Sequence, residues 1–182
     1  LKGWMSDFGE YLPWDAVLHS GEPAGIVHNQ FPYLWSEVCR NAVKDANMEG
    51  EVAFFSRSAS SYSPSSSTLF WAGDQLTSWD EYDGMQSALR AILSGGLSGM
   101  SLTHSDTGGY TEVDTPLYSI LRTEEILIRW MEMETFSGSM LRTHPGLLPT
   151  LSAQVNSSSM TLQATKFCSK IHSLLHPYRY VL

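Results

Sequence analysis

LFWAGDQLTSWDEYDGMQSALRAILSGGLSGMSLTHSDTGGY, residues 69–110, decides the fold. Two short apolar runs, each stopping on an aspartate beside glycine or serine (Asp74 and Asp106), flank one amphipathic helical pattern. In that pattern Tyr82, Met85, Leu89, Ile92 and Leu93 recur at three- and four-residue spacing. Ser78 and Glu81 have the spacing of a capping box, and Gly95-Gly96 is the predicted stop. Strand, helix and strand in this order make the βαβ unit of a parallel sheet. In a barrel of such units, acids at the carboxyl ends of strands stand where an active site is built. A third acid of this kind, Asp7, follows Gly3-Trp-Met-Ser6 near the start of the chain.

Outward from that unit, the pattern repeats. Residues 2–11 alternate and are aromatic-rich, a strand running into a loop at Phe8-Gly9-Glu10. Residues 12–30 form a long loop, and a helix starts at Pro32 with Leu34, Val38, Ala42 and Val43 on its apolar face. The next strand, 51–56, delivers Arg57, and the serine-rich run 56–68 is a loop inside the domain. After a strand at 98–103, a helix is predicted over 122–136 with Ile126, Trp130 and Met133 on one stripe. A short strand at 139–143 then delivers Arg142 and His144. A last helix is expected over 160–176, with Leu162, Phe167, Ile171, Leu174 and Leu175 apolar and Pro177 just past its end.

About five strands alternating with four helices means a parallel α/β fold. Periodicity alone fits a barrel or an open doubly wound sheet, and acids after successive strands favour the barrel. A complete (β/α)8 TIM barrel takes ~250 residues. The 182 residues therefore read as its C-terminal part, from about strand 4 onward, with roughly three strand–helix units before it. The chain begins at Leu1, inside a strand and without an initiator methionine, as a fragment would.

A net charge of −8 and the lack of a Lys/Arg cluster argue against a nucleic-acid partner. No apolar run approaches the ~18 residues of a membrane span. Cys39 and Cys168 lack metal-type spacing and read as two lone buried thiols, and the six histidines form no metal motif. Asn156-Ser-Ser has the form of a glycosylation sequon, a short motif that arises easily by chance.

Paired carboxylates at a barrel mouth are the equipment of a retaining glycosidase, which needs an ionised nucleophile and a protonated acid. Asp74, beside Trp71 and Phe70, suits the acid/base, because an apolar wall raises a carboxyl pKa by desolvation. Asp7 then suits the nucleophile. Asp-Phe-Gly at residues 7–9 also invites a protein-kinase reading, but no APE, HRDxxxxN or glycine-rich loop accompanies it.

The strings GWMSDFGEYLP (3–13), FWAGDQ (70–75), LSGMSLTHSDTGGYT (97–111) and LRTHPG (141–146), in this order, resemble glycoside hydrolase family 31 and look nearest to its sulfoquinovosidase-like branch. The resemblance covers nearly the whole chain. It implies a retaining α-glycosidase barrel, with β-sandwich domains outside it, acting on a carbohydrate without metal or cofactor. Asp7 matches the nucleophile and Asp74 the acid/base. Arg57, Trp71, Asp106 and His144 match positions that hold sugar hydroxyls or wall the first subsite. Tyr110 stands where ordinary α-glucosidases carry phenylalanine, and in the sulfoquinovose-cleaving branch a tyrosine here helps recognise the sulfonate. The chain departs from the branch in its serine-rich run after Arg57 and at Pro145 and Leu147. The resemblance leaves open sulfoquinovoside, glucoside or xyloside as substrate, and a diverged relative without hydrolase activity.

Overall fold

Aromatic-rich tetrads build the first strands of the computed structural model, which describes residues 3–181 in two units, Leu1–Trp71 and Ala72–Leu182. In the first unit, β1 (Gly3–Ser6), β2 (Ala53–Ser56) and β3 (Leu69–Trp71) pair in parallel in that order. Gly3 faces Ala53, and a Cβ there would collide with the Ala53 carbonyl, so this register needs glycine. Phe54 is buried and stacks on Trp4 at 5.5 Å. The first strand gives way to loop at Asp7, just ahead of the expected Phe8-Gly9-Glu10, and its Lys2 and the opening Leu1 lie outside the described residues.

The loop after β1 contains a single turn, α1 (Ala24–Val27), and is held by His28 Nδ1 on the Leu12 carbonyl at 2.6 Å. Helix α2 (Phe31–Asp45) starts with Pro32 in its first turn, as expected. Its buried stripe is Pro32, Ser36 and Val43, whereas Leu34 and Val38, expected on the core face, are exposed. The docking side explains the difference: Ser36 Oγ caps the Pro32 carbonyl, and Cys39, half-buried rather than buried, contacts Ser6 Oγ at 3.2 Å. The serine-rich run is the expected loop, tightened by a 3₁₀ turn at Ser63–Ser65. Its hydroxyls satisfy its own backbone: Ser60 N–H donates to Ser63 Oγ at 2.8 Å.

In the second unit, α3 runs from Met85 to Leu97, six residues later than the capping-box reading placed its start. Asp80 overrides that box, because its Oδ1 accepts from Tyr82 N and Asp83 N at 2.8 Å each and folds the segment into an Asx turn. Gly84 becomes the N-cap. At the far end the helix passes Gly95-Gly96, and Gly99 (φ +89°) makes the left-handed turn. Strand β4 is only Thr103–His104; residues 98–102 are spent on that turn.

An antiparallel hairpin, β5 (Val113–Thr115) and β6 (Tyr118–Ile120), follows and was not anticipated. Its signal was the alternation of Val113-Asp-Thr and Tyr118-Ser-Ile around the two-residue Pro116-Leu117 link. Helix α4 (Glu124–Ser137) is capped by Thr123 Oγ1 accepting from Ile126 N at 3.2 Å. One side packs Ile126 and Trp130 on Ala88; the other packs Leu127 and Met131 on Cys168.

Residues 139–143 run beside β4 without forming a regular strand. Ser139 N–H reaches the Thr103 carbonyl, Thr107 N–H reaches that of Arg142, and Thr107 and Thr143 form a single parallel bridge. Helix α5 (Ser159–Leu174) is capped by Ser158, the last residue of the sequon. It buries Thr161 and Cys168 while Leu162, Phe167 and Leu174 stay exposed, so its buried face is again not the expected one. Pro177 does not end the chain's helices but sits in the first turn of α6 (His176–Val181), where a missing N–H is harmless. No helix among the described residues is long and apolar enough to cross a membrane.

Candidate active site

Three acids follow the carboxyl ends of strands: Asp7 one residue after β1, Asp74 three after β3 and Asp106 two after β4. In the first unit, Asp7 sits at the start of a strained turn. Phe8 has φ +64° and Gly9 φ +94°, both left-handed, and a side chain at Gly9 would strike Ser58 Oγ and Trp35. That turn is pinned from outside, by Trp35 Nε1 donating to the Asp7 carbonyl at 2.9 Å and Ser58 Oγ donating to the Phe8 carbonyl at 2.7 Å. The Asp7 side chain accepts from Phe8 N at 2.8 Å through Oδ1 and pairs there with Arg57 Nη1 at 3.1 Å.

Arg57 ties this end of the unit together. Its Nη2 and Nε both reach Glu10 Oε1, at 2.6 and 2.9 Å, and its guanidinium lies over the rings of Phe8, Tyr11 and Trp71. Burial alone would lower its pKa, but the Glu10 hydrogen bond and the charges of Asp7 and Glu10 outweigh it and raise the pKa. Trp71 is buried at the end of β3, edge-on to Phe55. Asp7, Arg57 and Trp71 are thus brought together, with Glu10 as a fourth member that the reading of the sequence missed.

In the second unit, Gly73 (φ +100°) turns the chain so that Asp74 projects as an exposed carboxyl, not one enclosed by an apolar wall as expected. Its carbonyl accepts from Thr111 Oγ1 at 2.6 Å, and the Gln75 carbonyl accepts from both Tyr110 N and Thr111 N at 2.9 Å. The Asp74 turn and the Tyr110 segment are therefore locked as one piece. Asp106 is fully buried, and its Oδ1 pairs with Arg142 Nη1. Its main chain also closes the turn at Gly108-Gly109 by accepting from Gly109 N at 2.7 Å.

Tyr110 and His144 meet through their rings. The His144 loop is fixed by two buried residues that sequence reading missed. Arg122 donates to the carbonyls of Gly109, His144, Pro145 and Ala153 at 2.8–3.1 Å. Glu112 Oε2 accepts from Leu148 N at 2.6 Å, and Gly146 N–H donates to His144 Nδ1 at 3.1 Å. Burial lowers the His144 pKa, and the charges of Arg142 and Arg122 lower it further against an opposing pull from Glu112. Burial likewise depresses Arg122, with Glu112 and Asp106 counteracting. Among the described residues, no group of three or more His, Cys, Asp or Glu side chains is placed to hold a metal ion.

Strand-end acids in a parallel α/β framework, set among arginines and aromatic rings, are groups suited to hydrogen-bonding a polar ligand. The sequence profile of the Glycosyl hydrolases family 31 TIM-barrel domain matches residues 1–182, and the chain belongs to that family. It is 40% identical over 176 residues to the sulfoquinovosidase of Escherichia coli (strain K12), covering 97% of this chain and 25% of that protein. Against the sulfoquinovosidase of Agrobacterium fabrum (strain C58) the identity is 38%, over 98% of this chain and 26% of the relative. A GH31 family sulfoquinovosidase from E. rectale, solved in complex with the aza-sugar inhibitor IFGSQ, superposes with a TM-score of 0.90 at 39% identity. That match covers 98% of this chain and 26% of the other. The chain thus spans about a quarter of the length of these relatives.

Proposed function

We propose that this chain is the later part of a retaining α-glycoside hydrolase barrel, from about its fourth strand onward, acting on α-sulfoquinovosides. The reading rests on acids that follow the carboxyl ends of β1, β3 and β4, in a chain 40% identical to a sulfoquinovosidase over 176 residues. Residues 1–182 are one partial catalytic domain, with the earlier strands and flanking β domains belonging to the rest of the protein. The share of the relatives' length that the chain spans supports this division.

Asp7 is the nucleophile and Asp74 the acid/base. With Asp7 Oδ1 held by Phe8 N–H and Arg57, Oδ2 is the oxygen assigned to attack the anomeric carbon. As that bond forms, Asp74 gives its proton to the glycosidic oxygen and the aglycone leaves, which produces a covalent β-glycosyl intermediate. Asp74, now ionised, takes a proton from water, whose oxygen displaces Asp7 and releases the sugar with its α-configuration retained. Asp106, Arg57 and His144 supply hydrogen bonds to the sugar ring, Trp71 walls the first subsite, and Tyr110 contacts the sulfonate.

The test is hydrolysis of paired chromogenic α-sulfoquinovoside and α-glucoside by the full-length protein, with the product anomer followed by NMR. Turnover of the sulfonated sugar with retention, abolished in Asp7→Asn and Asp74→Asn, is the expected result. Preference for glucoside or xyloside would discard the sulfonate reading, and no turnover by folded protein would overturn the enzyme itself.

A further inference from the structure

Glu134 takes no part in the double displacement, yet its carboxyl is fully buried on the Ile126–Trp130 face of α4. Its Oε1 accepts from the Ser105 amide at 2.9 Å and also from the Ser105 hydroxyl. Trp130 Nε1, which can only donate, reaches that hydroxyl oxygen at 2.8 Å. The hydroxyl proton must therefore point at Glu134, and the chain Trp130 to Ser105 to Glu134 has one fixed polarity. All three residues are completely enclosed.

Ser105 lies between His104 and Asp106, both fully buried. Ser105 is thus anchored to α4 at the position immediately before Asp106. Asp106 in turn meets Arg142, whose carbonyl accepts from Thr107 N at 2.9 Å. β4 has only two residues of regular strand, too little ladder to hold its own end.

We propose that Glu134 is a positioning residue: by gripping both the amide and the hydroxyl of Ser105, it sets the direction in which Asp106 presents its carboxylate to the sugar. The role rests on the glycosidase reading of Asp106. Removing the acceptor strands the Ser105 amide and hydroxyl in a dry interior. Burial pushes Glu134 up to about 7 against the lowering pull of its Ser105 hydrogen bonds, and with the proton on Oε2 the Oε1 acceptor survives in either ionisation state.

The test uses Glu134→Ala, Ser105→Ala and Glu134→Gln in the full-length protein. KM and kcat for a chromogenic α-sulfoquinovoside and an α-glucoside are measured beside amide hydrogen exchange over residues 103–107. Both alanine variants should exchange faster there, with α5 unchanged, and should raise KM by about tenfold or more, since small misplacements of contact groups are costly. Glu134→Gln, which keeps the acceptor, should restore both. Exchange unchanged in the two alanine variants, faster exchange at wild-type KM, or a glutamine variant as impaired as alanine would each overturn the assignment to Glu134 alone. A wild-type protein that turns over neither glycoside would instead overturn the glycosidase reading, and with it the substrate role of the clamp.

Discussion

Tyr110 and His144 pack edge to face, with ring centroids 4.6 Å apart and planes 88° from each other. The contact joins two loops otherwise coupled through Arg122, which donates to the carbonyls of both Gly109 and His144. The ring of Tyr110 thus has a packing role that its hydroxyl does not share.

Tyr110→Phe separates the two. The ring pair survives, so the α-glucoside should be hydrolysed near the wild-type rate. kcat/KM for the α-sulfoquinovoside should fall by about tenfold or more, the worth of a hydrogen bond to a charged group. Equal losses on both substrates would contradict the sulfonate role.

Arg57→Lys tests the fork. Arg57 holds Asp7 and Glu10 at once through separate nitrogens, and lysine offers one point charge on a flexible stem. We expect kcat/KM to drop by about 10- to 100-fold with an unchanged circular dichroism spectrum.

Gly9→Ala tests the turn behind Asp7. A methyl group there meets Ser58 Oγ at 2.5 Å and Trp35 Cδ1 at 2.8 Å, in a backbone conformation that already disfavours side chains. Ser58 and Trp35 are the two side chains that pin the turn, so the clash displaces Asp7 itself. A kcat loss on the order of 100-fold is expected, with a modest fall in melting temperature.

Glu134 makes stability depend on pH in an unusual direction for a carboxylate. Burial, aided by the charge of Asp106 and opposed by the Ser105 hydrogen bonds, raises it from 4.5 to about 7. The folded state therefore holds this proton more tightly than the unfolded chain. Its contribution is complete below pH 4.5 and is lost as pH rises through 7, a difference on the order of 3 kcal/mol. Thermal denaturation of wild type and Glu134→Gln at pH 5 and pH 8 should show a smaller loss between the two pH values in the variant.

The strand-end acids were legible because a short apolar run stopping on Asp is a local pattern, and β1, β3 and β4 fall where those runs are. The start of α3 was not, since Ser78-x-x-Glu81 and the Asx turn of Asp80 compete for the same backbone, and the sequence carries both signals. The apolar faces of α2 and α5 were misjudged for another reason. Small polar residues, Ser36 and Thr161, sit at the closest approaches, so the buried stripe is not the most apolar one. Arg122 and Glu112 owe their place to main-chain carbonyls and amides distant in sequence, for which no residue pattern exists. Glu134 did leave a trace: it lies four residues beyond Trp130 on the Ile126 stripe, an acid where an apolar side chain belongs.

The Gly146 amide aimed at His144 Nδ1 dictates which tautomer the imidazole adopts. A neutral ring that accepts at Nδ1 must carry its hydrogen on Nε2, and its depressed pKa keeps it in that neutral form near pH 7. His144 therefore offers an outgoing hydrogen, while the Asp106 carboxylate can only receive one. On the proposed glycosidase reading, a sugar hydroxyl bridging such a pair would have its O–H direction chosen for it, and a backbone amide in a loop would set the sense in which protons run around a bound ring.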